Sequence, residues 1–485
     1  MSMGRRKGEQ TPMWLSGAAL ARSPGHKFYE KLNQLLAEAE FDRQVEELCA
    51  PYFEADERRG RPSIAPGMYF RMLFVGYFEG IESERGLEWR CADSLSLRTF
   101  LGVAMDKRVP DHSSLSRMRT RLDGEVYDEV FRRVLAIVES KGLLRGKVEG
   151  VDSTYLRADA SMKSIVRKDT GDDYAAYLKK LCEAEDIQDP TVEDARRMDR
   201  SRKGKKTSNE EWQSPTDADA RIVRLKDGRT RLGYKAEHVV DLETCAIVAA
   251  EVYTGTDADT ATLRPSLEAA RTNVTAARSD SDDDDDAPPP ATSTEGTREI
   301  VEVVGDKGYH KVQSLLDLRR AQYRTYIPAP EQKGQRHFGD KGRMLAREAF
   351  HHNQARVRRA KGKALLRQRG EKLERTFAFA CETGAQRRVR LRGRDNVRKR
   401  YLVHAAAVNL GLVMRTLFGH GTPRQATSAA LAAIIATLWI VLRTMASAIP
   451  TLFGTPLLRP MDCRSAVTIR RTTPHSSLAP GPPVG

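Results

Sequence analysis

Val148-Glu149-Gly150-Val151-Asp152-Ser153-Thr154-Tyr155-Leu156 is where the chain changes character. The run is short, rich in β-branched residues and flanked by Gly142 and by polar sequence, so it reads as a strand that carries Asp152. Upstream, from about 25 to 145, the pattern is helical. Phe28, Leu32, Leu35 and Leu36 recur at helical spacing, as do Val45, Leu48 and Cys49. Met68 to Phe78 is apolar on most sides and should be buried. Val126, Val130, Val134, Leu135, Ile137 and Val138 predict an amphipathic helix over 125–142, ended by Gly142. Residues 1–24 read as a flexible arm.

Downstream, the strand pattern returns four more times before one last helix. Residues 160–215 are a polar insertion with a basic run, Lys203-Gly204-Lys205-Lys206, and Trp212 and Pro215 mark its end. Residues 219–255 read as a hairpin, Leu232 to Asp241 followed by Ala246 to Tyr253. A helix follows from Asp259 to about residue 272. Residues 278–297, with five consecutive aspartates and three prolines, cannot build a core and read as a disordered acidic loop. Glu299 to Gly305 is a strand that delivers Asp306. A helix through Val312, Leu315, Leu316 and Leu318 leads to a short strand at Tyr323, and then to a helix that carries Glu374. The order predicts an α/β domain over 146–415, a mixed five-stranded sheet flanked by helices. Its element order is that of an RNase H-like fold, preceded by an all-α domain over 25–145.

The 485 residues carry a net charge of +15 and a pI near 9.5. That excess favours a polyanionic partner over a small neutral substrate. None of the six cysteines stands at Cys-x-x-Cys spacing, which argues against a zinc ribbon or a disulfide framework and fits a reducing compartment. The N-terminus has no long apolar segment behind its basic residues, so no signal peptide is predicted. Asp111 or Ser113 should cap a helix through Arg117, Arg119 and Arg121, a candidate second helix of a helix-turn-helix that touches DNA.

Asp152, Asp306 and Glu374 are the candidate catalytic and metal-ligating residues. Carboxylates delivered from strands and a facing helix suit a pair of hard cations, and two such ions can activate water and stabilise the leaving oxygen in phosphodiester cleavage. The field around Glu374 is dense in arginine and lysine, a phosphate track that includes Arg369, Arg375, Arg387, Arg388, Arg392, Lys399 and Arg400. Spacing alone leaves Glu371, one turn from Glu374, as an equal candidate. Asp159 falls at the far end of the strand or in a loop, and Asp257 and Asp259 open a helix, where aspartate caps.

Arg369-Gly370-Glu371-Lys372-Leu373-Glu374-Arg375-Thr376-Phe377, then Arg387-Arg388, Leu391 to Arg394, Asn396, Lys399-Arg400 and Asn409, resembles bacterial insertion-sequence transposases of the Asp-Asp-Glu class. Val151 to Thr154, Asp217 to Ile222, Tyr234 to Asp241, Gly305 to Tyr309 and Pro110 to Arg117 are similar to the same family, so the resemblance spans roughly residues 25–415. It implies that Asp152, Asp306 and Glu374 bind two Mg2+ ions, with Mn2+ able to substitute, and it selects Glu374 over Glu371. It implies nicking at the ends of a mobile element and attack of the freed 3′-hydroxyl on target DNA. Double-stranded DNA is then the partner, both terminal repeats and target, and pairing two ends implies a homodimer in the bacterial cytoplasm at the nucleoid. Arg369, Arg375, Arg387 and Arg388 would hold terminal phosphates. Where the family often has Tyr, Arg and a basic residue around the glutamate, Arg367, Gly370 and Cys381 stand here. These departures leave a decayed, inactive DNA-binding copy as an alternative, beside a nuclease without strand transfer.

Residues 426–442 carry no charge and predict an apolar helix within 416–454, followed by a disordered tail over 455–485. At 1.5 Å per residue the run spans about 26 Å, just short of a hydrocarbon core. Its small residues favour packing on the core or a second subunit, with no stable membrane association.

Overall fold

The computed structural model describes residues 25–53, 63–185, 191–225, 228–279, 301–331 and 344–428, together with Thr437 and Trp439. The expected arm over 1–24, the tail over 455–485 and almost all of the acidic loop and the apolar run over 426–442 lie outside them.

The N-terminal part is helical: α1 (Lys27–Glu38), α2 (Phe41–Cys49), α3 (Pro66–Glu79), α4 (Glu84–Asp93), α5 (Leu95–Phe100), α6 (His112–Arg121) and α7 (Gly124–Ser140). Local chemistry sets the ends. Pro66 opens α3, and Gly80 closes it at φ 68°, a left-handed conformation that glycine adopts without strain. Asp111 caps α6 by accepting from the Ser114 amide at 2.6 Å. Almost every side chain of α3 from Tyr69 to Phe78 is buried, as its apolar run predicts.

A mixed sheet follows. Its strands are β1 (Val148–Arg157), β4 (Arg221–Arg224), β5 (Thr230–Asp241), β6 (Ile247–Thr254), β7 (Val301–Val304) and β8 (Tyr323–Tyr326). Among the described residues it has six strands, not five. The extra one, β4, is Arg-Ile-Val-Arg, too short and too charged to stand out as a strand pattern. β1 lies near the middle, antiparallel to β5 and parallel to β7, and β7 is parallel to β8. β6 and β4 share the other edge of β5. The insertion forms α8 (Tyr174–Ala184), α9 (Val192–Ser201), α10 (Ser208–Glu211) and a two-stranded ribbon of β2 (Val166–Arg167) and β3 (Trp212–Gln213). Leu178, Cys182 and Ala195 give it a small core of its own.

Helices α11 (Asp259–Ser279), α12 (Val312–Arg320), α13 (Met344–Arg358), α14 (Ala360–Ala378) and α15 (Arg394–Phe418) complete the architecture. α11 runs past the predicted end near residue 272, because Leu263, Leu267, Ala270, Val274 and Ala277 keep one buried stripe through Pro265 to its last turn. The helical part and the sheet share one continuous hydrophobic core and fall in one compact unit ending at Ala426. α15 is the reason: it packs on α7 and α3 as well as on β6. It is also the one helix among the described residues long and apolar enough to cross a membrane, and most of that apolar stretch is buried inside the protein. Asn409 fixes it to the sheet by accepting from the Ile247 amide at 2.9 Å and donating to the Ile247 carbonyl at 2.8 Å.

Glu149 on β1 is buried, with Oε2 lacking a hydrogen-bond partner. Burial, reinforced by the nearby Asp241, pushes its carboxyl up to about 8. The folded protein therefore keeps a proton that the unfolded chain releases near the ordinary carboxylate range. The stability that this group contributes is full at low pH and is lost as pH rises towards 8. Glu149→Gln should remove that decline and be more stable than the parent at pH 8 by roughly 3–5 kcal/mol. Urea denaturation at pH 5 and pH 8 checks this, and parallel changes in both proteins would refute it.

Candidate active site

The three sequence-predicted acids fall on three neighbouring elements. Asp152 lies mid-strand on β1. Gly150 on β1 pairs with Val304 on β7. Asp152 lies two residues beyond Gly150 on β1, and Asp306 two residues beyond Val304, just past the end of β7. Asp306 caps the short turn Lys307–Tyr309 by accepting from the Gly308 amide at 2.8 Å. α14 crosses β1, and Leu373 fills the place where a side chain at Gly150 would stand, 2.6 Å from an added Cβ. Glu374 follows Leu373 and is exposed. Glu371, the alternative, pairs with Arg375 at 2.7 Å on the solvent side.

Neighbouring groups hold Asp152 in place. Its Oδ1 accepts from the Ser153 amide at 2.8 Å and pairs with Arg369 Nη2 at 2.8 Å. Arg369 also donates from Nε to the Val151 carbonyl at 3.0 Å, so one guanidinium ties α14 to the strand at the first acid. Next to this contact His238, the β5 partner of Asp152, is fully buried. Phe377 stacks on its ring at 4.3 Å. Burial pushes the imidazole down to about 3, so it is neutral at any working pH. Thr376 Oγ1 donates to the Leu373 carbonyl, which leaves Oγ1 to accept from His238 Nδ1 at 3.1 Å while Nε2 accepts from the Tyr401 hydroxyl at 2.7 Å.

Sequence reasoning missed the polar network beside the aspartates. Lys235 and Glu237 on β5 are both buried. Lys235 Nζ pairs with Asp259 at 2.7 Å and with Glu237 at 3.3 Å. Glu237 also accepts from the hydroxyls of Thr262, Ser266 and Tyr309, at 2.7, 2.6 and 2.8 Å. Asp259 is more than a cap: it accepts from Ser153 Oγ at 3.2 Å, one residue from Asp152, and stands against Gly308, whose amide serves Asp306. The signal was present in Tyr234-Lys235-Ala236-Glu237-His238, where charged residues alternate within an otherwise apolar strand.

Among the described residues no three His, Cys, Asp or Glu side chains are gathered into one ready set of metal ligands. The basic residues divide into surface and interior. Arg117 and Arg121 are exposed on one face of α6, Arg121 over the Phe53 ring, but Arg119 turns inward to pair with Glu84. Arg375 and Arg387 are exposed and paired with Glu371 and Glu382. Arg388 and Arg392 meet at Asp159, at 3.0 and 3.4 Å. Lys399 and Arg400 are corrections: both are buried, Lys399 paired with Asp395 and Arg400 bonded to His404, because α15 is covered on nearly all sides. They are not part of the exposed basic surface. Arg359, Lys363 and Arg367, four residues apart along α14, form an exposed row.

A transposase domain (DUF772) matches residues 18–121, the helical part, and a transposase DDE domain matches residues 212–410, which carry β4 to α15. The chain belongs to the insertion-sequence DDE transposases. The matched segments of the transposase contain Asp306 and Glu374, while β1 with Asp152 and most of the insertion lie between them. No curated protein and no solved structure matches the transposase.

Lys235→Met in this transposase would leave Glu237 buried without its cation. Stability should fall by about 3–5 kcal/mol, the usual cost of breaking a buried pair from one side. Urea midpoints check this; a change under about 0.5 kcal/mol, typical of a surface substitution, would show that Lys235 does not hold the network together.

Proposed function

We propose that this DNA transposase has an RNase H-like core and cuts the ends of a mobile element by phosphodiester hydrolysis, then joins the 3′-hydroxyl to target DNA. The observation that supports the reading is the parallel pairing of β1, which carries Asp152, with β7, which leads into Asp306, with the helix bearing Glu374 packed across β1. The strand order β6-β5-β1-β7-β8, with β5 and β6 antiparallel to their neighbours, supports the fold assignment. Asp152 and Asp306 supply hard oxygen donors on adjacent strands, the chemistry that suits Mg2+, with Mn2+ able to substitute. Glu374, exposed on the crossing helix, is the third candidate ligand. When bound, such ions supply Lewis acidity and an activated water at the scissile phosphate. Arg369 pairs with the Asp152 carboxylate, and a bound cation would exchange one positive partner for another.

The chain's own part is to bind and orient the duplex. Arg117 and Arg121 on α6 and the Arg359, Lys363 and Arg367 row on α14 offer exposed cations to backbone phosphates. Arg375, Arg387, Arg388 and Arg392 are paired with carboxylates and would exchange those partners for phosphate. Two element ends must be held together, so the working form is a homodimer on DNA.

A supercoiled plasmid carrying the terminal repeats should be nicked at the repeat ends with Mg2+ and left intact with EDTA. Asp152→Asn and Glu374→Gln should each lower the rate about a thousandfold or more, roughly 4 kcal/mol of barrier, while DNA binding persists. Cleavage that survives Glu374→Gln would move the role to Glu371. Cleavage without joined product would leave a nuclease, and binding with no metal-dependent cleavage in the parent would sink the proposal.

A further inference from the structure

A cavity of about 240 Å3 lies between the α3–α4 turn and residues 386–391. Arg85, Arg388, Arg390 and Arg400 line it, against two acids, Glu82 and Glu84. Both acids are already engaged. Glu82 pairs with Arg390 at 2.6 Å, and Glu84 with Arg119 from outside the cavity. Arg388 reaches Asp159 with Nη2, but its Nε is sealed from solvent and has no hydrogen-bond partner. Arg400 is only 8% exposed and has no carboxylate within ion-pair distance among the described residues. Its Nε donates to His404 Nε2 at 3.0 Å and its Nη2 to the Ile81 carbonyl at 3.3 Å, both neutral acceptors. Arg85 is exposed and likewise unpaired among the described residues.

A buried guanidinium without a counter-charge is costly, and it is costly in a way that an entering anion relieves. Tetrahedral oxyanions match the forked donors of arginine, and one such ion could take hydrogen bonds from several forks together. We propose that this cavity is a binding site for a phosphate-class oxyanion, with Arg400 as its most buried cation and Arg388 and Arg85 completing it. The inference does not depend on the catalytic reading of Asp152, Asp306 and Glu374. The occupant would be either free inorganic phosphate or a phosphate of a nucleic-acid backbone.

The test heats the full chain at fixed pH and ionic strength, in chloride alone and with rising inorganic phosphate. Phosphate should raise Tm along a saturating curve, as for any ligand of the folded state. Arg85→Gln and Arg388→Gln should each weaken the apparent affinity about tenfold, the loss of one charge-assisted contact. Lys179→Gln, exposed on α8, should leave it unchanged. Competition between phosphate and a random-sequence duplex would assign the site to backbone phosphate; duplex binding without competition would assign it to a free oxyanion. Equal Tm in phosphate and chloride, or a phosphate shift that is the same in Arg85→Gln, Arg388→Gln and the parent, would overturn the proposal.

Discussion

A side chain at Gly150 has nowhere to go. An added Cβ would stand 2.6 Å from both Leu242 and Leu373, closer than packed carbons approach. Because position 150 is empty, α14 can lie directly on β1, and Leu373 takes the vacated space. The third acid of the candidate site is thereby tied to the strand of the first, through contacts made two residues before Asp152 and one before Glu374. Arg369, one turn earlier, completes the same seam by bonding Val151 and pairing with Asp152. Close packing of this kind transmits small changes in shape, so a methyl group at position 150 would act on the spacing of the acids before it acted on their chemistry.

The other side of the seam is polar. Ser153 and Glu237 face each other across β1 and β5, and Asp152 and His238 do so one step along. Alternation along the strands sends these pairs to opposite faces. One face meets α14 through the neutral His238, with Thr376, Phe377 and Tyr401 about it. The other meets α11 through Lys235, Glu237 and Asp259. Two different devices thus hold one strand. On one side a neutral ring leaves the local field to Arg369 and Asp152. On the other, every charge has an opposite charge or a hydroxyl, as a buried ionic group requires.

The sheet and its acids were legible because strands announce themselves by short β-branched runs, and Asp152 stands within one such run and Asp306 just beyond another. β4 was not, since Arg221 and Arg224 leave only Ile222 and Val223 as apolar pattern. The shared core was not legible either. Periodicity reports which face of an element is apolar, and says nothing about which partner covers it, so the packing of α15 on both α7 and β6 had no signature in the chain. Asp259 was read as a cap because aspartate at a helix start usually caps. Its contacts with Lys235 and Ser153 join residues far apart in sequence, and no local rule brings these together.

The basic residues show the same limit from another direction. Their density around Glu374 suggests one continuous phosphate track, but a helix sorts its residues by angle, not by number. Along α14 every fourth residue from Arg359 to Arg367 faces solvent, while Arg369 turns in to Asp152. Along α15 burial is nearly complete, so Lys399 and Arg400 become interior cations with quite different surroundings. Lys399 has Asp395 one turn away and the face of Tyr127 beside it. Arg400 has only a neutral imidazole and a carbonyl. Two adjacent cations in one motif thus differ in what they still need: the first is neutralised within its own helix, and the second has no carboxylate within ion-pair distance among the described residues, with Glu84 acting on it only from farther off. Net charge counts them alike, and it is burial without an anion that sets Arg400 apart.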